Sequence, residues 1–323
     1  MATPSNSTAF RARAPWWGGD LQTLRNILAP GIGKLPGTSK RIYLALGDGS
    51  GDRVAAMLDS PAEPADGPLI VLIHGLAGSE TSAYLRASAG FHLKRGRKVL
   101  RLNLRGAGPS RATCIGHYHA GCGTDLHHAL AALPGDLAAS GFFVIGYSLG
   151  GNALLNLLAS HDLPIRGAAT VSAPIEPAQA AQRFMEPRNA LYHYWLLRQM
   201  KRESGAPGAL LSEAERAAIR HARTIYEFDD GFVAPRNGFD GADDYYARTA
   251  GARMAGDITV PTLMVHARDD PWIPPAPYDA LMRRAPANIR IVLTEGGGHV
   301  GFHGLGHTET WHDRLIDEFM EPL

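Results

Sequence analysis

The stretch "FFVIGYSLGGNALLNLLAS" constrains this chain more than any other. Four apolar residues, Phe142 to Ile145, run into Gly146-Tyr147-Ser148-Leu149-Gly150, and a helix-like pattern follows at once. A strand that stops at a serine, between residues small enough for a very tight turn, holds one hydroxyl in the open. The G-x-S-x-G spacing alone is weak in a chain with 37 glycines. Its strand–turn–helix setting is what gives it weight. In such an elbow the nucleophile takes a strained backbone conformation, and Gly146 and Gly150 avoid clashes with neighbouring elements. Gly151 lets the helix pack closely on the sheet. The helix N-terminus sets its dipole and free N–H groups beside Ser148.

A serine hydroxyl is a poor nucleophile until a base takes its proton, and the base needs an acid to orient it. For this topology the chain order is Ser, then Asp or Glu, then His. Downstream, "MVHARDDPWIP" places Asp269 and Asp270 just after a strand, and "IVLTEGGGHVGFHGLGH" places His299 just after the next. Both loops leave the sheet edge that carries Ser148. Asp270 is preferred because it begins the turn "DPWIP" and points back to the site; Asp269 reads as a solvated strand-end carboxylate. His303 and His307 share a spacing of four with His299, but the segment is too glycine-rich for a helix of ligands. A surface role is expected for those two. An oxyanion needs backbone donors already in place. Leu149 N–H is one, and Leu76 N–H in "HGLAGS" is the second, where the alternative is a plain glycine turn.

The rest of the chain supplies the frame. "PLIVLIHG" (68–75), "KVLRLNLRG" (98–106), "FFVIG" (142–146), "IRGAATVSAP" (165–174), "TLMVHARDD" (262–270) and "IRIVLTE" (289–295) read as strands separated by helices. Among those helices are "GGNALLNLLASH", a segment near 277–285, "ETWHDRLIDEFM", and "TDLHHALAALPGDLAAS", which Pro134 breaks or kinks. Short apolar runs alternating with helices imply an α/β fold, a mostly parallel sheet covered on both faces. "RIYLALGDGSGDRVAAMLDSP" fits an antiparallel hairpin at the sheet edge. Residues 175–260 break the rhythm with helical patterns and no clear strand. The expected organisation is one domain over 1–323, with 175–260 as a helical cap over the C-terminal sheet edge, where open α/β sheets bind ligands.

Composition removes other classes. In 323 residues, Lys+Arg 32 against Asp+Glu 31 gives a net charge of +1, so no nucleic-acid partner is expected. Cys114 and Cys122 are too few for a disulfide framework and not in metal-ligand spacing. The first twenty residues lack the apolar core of a signal peptide, and no window approaches the ~18 apolar residues of a membrane span. A cytoplasmic protein is the expectation. Arg188, Arg198, Lys201 and Arg202 offer at most a weak peripheral contact with anionic lipid; a solvated surface is the plainer reading. His117 and His119 in "GHYHAGCG" lack a third ligand at suitable spacing, so a structural or pocket-lining role is expected and no metal.

Taken in order, "HGLAGS", "NLRGAG", "GYSLGGN", "EFDD", "HARDDPW" and "GGHVGF" resemble the YheT-like branch of the α/β-hydrolase superfamily, related to the eukaryotic ABHD lipases. The resemblance runs from "DLQT" (20–23) to residue 302. It implies an eight-stranded sheet with a helical cap, a Ser148–Asp270–His299 triad, and carboxylic-ester hydrolysis without a cofactor. Acyl transfer to alcohols and phospholipid cleavage are known among relatives. Asp20 stands where the family often has His, and Ala107 where it often has Cys. These departures bear on the N-terminal segment and the loop after Gly106, not on the triad. Asp229 and Asp230 of "YEFDDGF" are expected to organise the junction of cap and core. The expected activity is hydrolysis of a small uncharged ester with a short or medium acyl chain. An acyltransferase with the same triad is the alternative. A non-catalytic binding protein of this fold would typically have lost a triad member, and all three are present.

Overall fold

The computed structural model describes residues 9–29, 33–160 and 162–323. Residues 1–8, part of the segment read for a signal peptide, lie outside them, as does His161 at the end of one predicted helix. Eight strands form one sheet: β1 (Thr38–Ala45), β2 (Arg53–Ser60), β3 (Leu69–Ile73), β4 (Val99–Leu102), β5 (Phe142–Tyr147), β6 (Ile165–Val171), β7 (Thr262–Ala267) and β8 (Ile289–Thr294). Their spatial order is β1-β2-β4-β3-β5-β6-β7-β8. The β1–β2 hairpin and the β2–β4 pair are antiparallel, and every other pairing is parallel. The hairpin thus sits at the edge that its Gly-Asp-Gly turn predicted.

Every residue of β3, β4, β5 and β7 is buried, as parallel strands covered on both faces must be. Two apolar clusters fill the two sides. One gathers Val71, Val144, Leu154 and Met264, the other Ile70, Ile145, Val265 and Phe302. The helix Leu149–Ser160 buries all residues from Gly150 to Leu158, because the sheet lies on one side and the helix Gly123–Ala131 on the other. Pro134 does end the preceding helix. It precedes a separate short turn at Gly135–Ala138, since it cannot donate to the helical ladder. Where the sheet turns antiparallel, Arg101 of β4 donates twice to Asp59 of β2, at 2.6 and 3.0 Å, with both side chains buried. Removing either partner would leave a buried charge unpaired.

Between β6 and β7 the described residues form helices joined by loops and no strand. Its longer helices are Pro177–Met185, Ala190–Ser204, Glu213–His221 and Ala242–Thr249. Phe184, Leu196, Met200, Phe228, Phe232 and Tyr246 pack with their neighbours into a third apolar cluster, against which Leu76, Leu149 and Trp272 also rest. The Asn152 side chain ties this segment down, donating to Ala120 O and Thr249 O and accepting from Gly251 N. Among the described residues no helix is long and apolar enough to cross a membrane.

Candidate active site

Ser148 occupies the turn between β5 and its helix with φ +51°, a left-handed conformation that costs a non-glycine residue free energy. The glycines around it leave no room for anything larger. A Cβ on Gly146 would lie 2.5 Å from Gly150 O, one on Gly151 2.8 Å from Ala173 Cβ, and one on Gly150 would collide with the carbonyl of His74. Gly75, in the loop after β3, belongs to the same packing, since a Cβ there would meet Ser148 Cβ at 2.8 Å.

The three residues singled out by chain order come together. His299 Nε2 stands 2.9 Å from Ser148 Oγ, and His299 Nδ1 2.9 Å from Asp270 Oδ2. Asp270 is fully buried, and its other oxygen accepts from Trp272 N at 2.8 Å and Ile273 N at 3.0 Å. Burial raises its pKa, but the His299 imidazole and these donors outweigh that and hold it below the usual carboxylate value. An ionised Asp270 accepts only, so His299 Nδ1 carries the hydrogen and Nε2 is left to accept from the serine hydroxyl. The Trp272 ring lies against the imidazole, centroids 4.4 Å apart.

Two residues that line the same space, Leu76 and Leu149, carry backbone amides without partners among the described residues. Leu149 N opens the helix, where no intrahelical carbonyl is available. Leu76 N has no hydrogen bond to any described residue, whereas its neighbours do: Gly75 N donates to Tyr84 Oη and Ala77 N to Tyr118 Oη, at 3.0 and 2.8 Å. Tyr118 passes its own hydrogen to Glu203 Oε2 at 2.7 Å, linking this loop to the helical segment. His74 closes the other side. Its Nδ1 lies 2.7 Å from Gly75 O and its Nε2 accepts from Leu104 N, while burial lowers its pKa to about 4 and keeps it neutral.

His299 itself is carried by a loop that a distant segment holds. Thr23 Oγ1, on the helix Gly18–Leu28, accepts from His299 N at 2.8 Å; Asn26 donates to Val300 O; Gln22 donates to His303 O and accepts from His303 N. Sequence reasoning missed this clamp, since the polar pair "QT" after Leu21 shows its burial only in the folded chain. Asp20, the departure from the family, accepts from Tyr192 and Arg188 and so joins the clamp helix to the helical segment. Two expectations change here. His303 is buried, not on the surface, because its backbone is part of the clamp; His307 is exposed. Asp269 is not a freely solvated carboxylate: it accepts from Gly298 N at 2.8 Å and fixes the turn before His299.

The remaining candidates fall beside the site. His117 meets Arg111 and Ser204 O and packs edge-on against Phe232, and His119 packs on Phe239 and Tyr245. Among the described residues no group of three His, Cys, Asp or Glu side chains could hold a metal ion. Asp230 accepts from Ala242 N and Asp229 from the Tyr246 hydroxyl. Ala107 is buried in the main core. Of the basic face, Arg188 pairs with Asp20, and Lys201 donates to the Arg220 and Ala222 carbonyls. Ser148 Oγ opens on a cavity of about 290 Å³ lined mostly by apolar side chains, including Leu76, Phe184, Trp195, Ile225 and Trp272.

An eight-stranded, mostly parallel sheet with a strained serine at the β5 elbow and His and Asp on the loops after β8 and β7 defines a class. Residues 68–304 match the family model described as the alpha/beta hydrolase fold, and the chain belongs to that family, in the branch of YheT. It is 33% identical over 280 residues to YheT of Escherichia coli (strain K12), a protein described provisionally as an esterase, covering 82% of this chain and 80% of that one. It is 27% identical to Phospholipase ABHD3 of Mus musculus over 79% of this chain and 64% of that protein. Esterase Pf2001 of Pyrococcus furiosus superposes with a TM-score of 0.62 at 15% identity, over 98% of this chain and 97% of that one, a likeness of fold.

Proposed function

We propose that this chain is a serine carboxylic-ester hydrolase working through an acyl-enzyme. The observation that carries the reading is the Ser148–His299–Asp270 chain of 2.9 Å contacts opening into a largely apolar cavity. Ser148 Oγ attacks the ester carbonyl while His299 Nε2 takes its proton, and Asp270 steadies the imidazolium that forms. The oxyanion sits between Leu76 N–H and Leu149 N–H, donors that need no reorganisation at the moment of reaction. His299 then protonates the leaving alcohol and activates a water, which releases the acid and frees the serine. No step calls for a cofactor.

The helical segment 175–260 acts in this reading as a cap on one hydrolase domain, supplying Phe184, Trp195 and Ile225 to the acyl pocket. A cavity near the lower end of the ~300–1,000 Å³ usual for small ligands favours short to medium acyl chains. The names of the relatives, an esterase and a phospholipase, support ester hydrolysis.

The test is hydrolysis of p-nitrophenyl esters from acetate to palmitate. We expect a maximum at short or medium length and, for Ser148→Ala, a fall of about 10⁴-fold or more. No turnover at any length, with Ser148 still labelled by a fluorophosphonate, would keep the nucleophile and discard the substrate class. Neither turnover nor labelling would discard both. Transfer to added ethanol outpacing hydrolysis would favour the acyltransferase.

A further inference from the structure

The cavity that exposes Ser148 and His299 is lined by a single carboxyl among the described residues, that of Asp229. Its chain position is unusual: the backbone widens into a π-helical turn at Asp229–Val233, a local irregularity that often re-aims a side chain at a functional site. One oxygen, Oδ2, accepts the Tyr246 hydroxyl at 2.7 Å. The other takes no hydrogen bond from any described residue and is not sealed inside the protein either, and Asp229 lines both this cavity and a smaller one beside it. A carboxyl held in apolar surroundings with half its capacity unused is costly, which makes a ligand partner the natural completion.

The neighbours say what kind of partner. Tyr245, which lines the same cavity, accepts from Ala120 N at 2.8 Å and has no acceptor for its own O–H among the described residues. Tyr246 already donates. Burial raises the Asp229 pKa to about 7, so near neutral pH much of it is the neutral acid, itself a donor. A corner with a free phenolic O–H and a carboxyl that both gives and accepts hydrogen bonds suits a hydroxyl. An ammonium group offers donors only and would leave the Tyr245 O–H without an acceptor.

We propose that Asp229, with Tyr245, recognises a hydroxyl group on the substrate, so that the preferred ester is a hydroxylated one. The inference rests on the ester-hydrolase reading of the same cavity. The hydroxyl lies on either the acyl chain or the alcohol, and the test separates the two.

The measurement is kcat/KM on matched pairs. In the acyl arm, p-nitrophenyl hexanoate is compared with its 3-hydroxy and 6-hydroxy derivatives; in the alcohol arm, ethyl hexanoate is compared with 2-hydroxyethyl hexanoate. Wild type is expected to prefer the hydroxyl in one arm by about tenfold or more, since its removal leaves buried polar groups unpaired. Asp229→Asn, whose amide also donates and accepts, keeps most of that ratio, and Asp229→Leu brings it close to one. A cooperative melting transition within a few degrees of wild type, with the same far-UV circular dichroism, certifies that the Leu variant is folded. Should that variant not fold, Tyr245→Phe decides instead, with a several-fold drop in the ratio expected. Turnover of plain esters with no preference in either arm, or a preference untouched by the deciding variant, overturns the proposal alone. No turnover of any ester overturns the hydrolase reading and this one with it.

Discussion

Ser148 and His299 stand 2.9 Å apart, yet they are held in opposite ways. The serine elbow is packed by its own sequence. Gly146 faces Gly150 and Gly151, and Ser148 N pairs with Val171 O of the adjacent strand. The histidine loop has almost no regular structure and three consecutive glycines. It owes its shape to Gln22, Thr23 and Asn26, which lie some 270–280 positions earlier in the chain, and to Asp269 on the loop before. A locally packed nucleophile stands or falls with the sheet. A base held by a few long-range hydrogen bonds can lose its place while the sheet survives.

The largest effect is therefore expected at the elbow. Gly150→Ala drives a Cβ into the His74 carbonyl, backbone that cannot step aside without moving the end of β3. Denaturant unfolding should show a loss of about 3 kcal/mol, the upper range for overpacking, and activity should drop with the folded fraction. A variant as stable as wild type would mean that the elbow is looser than its contacts imply.

A smaller and different effect is expected at the clamp. Thr23→Val keeps shape but removes the oxygen that accepts from His299 N and donates to Gly19 O. Stability should fall by only about 1 kcal/mol, a typical hydrogen-bond contribution. Ester kcat should fall by about tenfold with KM little changed, since the interaction positions a base and does not bind substrate. Loss of folding and activity together would erase the contrast between the two regions.

A third effect, between these two in its cost to stability, is read from pH. Burial, with Arg25 beside it, lowers the His303 pKa to about 3, against 6.5 for an ordinary imidazole. The unfolded chain thus binds this proton more readily. The stability that His303 contributes is full above about pH 6.5 and is lost progressively as the pH falls towards 3. At pH 5 the loss is on the order of 2 kcal/mol. His303→Gln should flatten that part of the melting-temperature profile between pH 7 and 5. An unchanged slope would place the acid sensitivity in other buried histidines, such as His74 or His92, and not in the clamp.

Different parts of the molecule were legible to different degrees. The strands were visible because parallel strands buried on both faces must be continuous apolar runs, and "LIVLI" and "FFVIG" are such runs. Ser148, Asp270 and His299 were visible because each opens or follows a strand in an order that the topology requires. Asn152 could have been noticed as an amide inside an apolar helix; it ties that helix to the helical segment. Tyr118, Glu203 and the Gln22–Thr23 clamp had no local signature, because ordinary polar residues acquire such roles only from what folding sets beside them.

The sequence by itself determined the order of strands and helices, the elbow and the three residues that meet there, since each follows from periodicity, from glycine's lack of a side chain, or from a chain order that one topology allows. Only the tertiary structure decided that His303 is buried, that Asp269 braces a neighbouring loop, and that Asp229, with one oxygen unpaired, lines Ser148's cavity. The physical reason is that hydrogen bonding and burial depend on which groups are brought within about 3 Å, and a polar residue does not carry that information in its own neighbourhood of the chain.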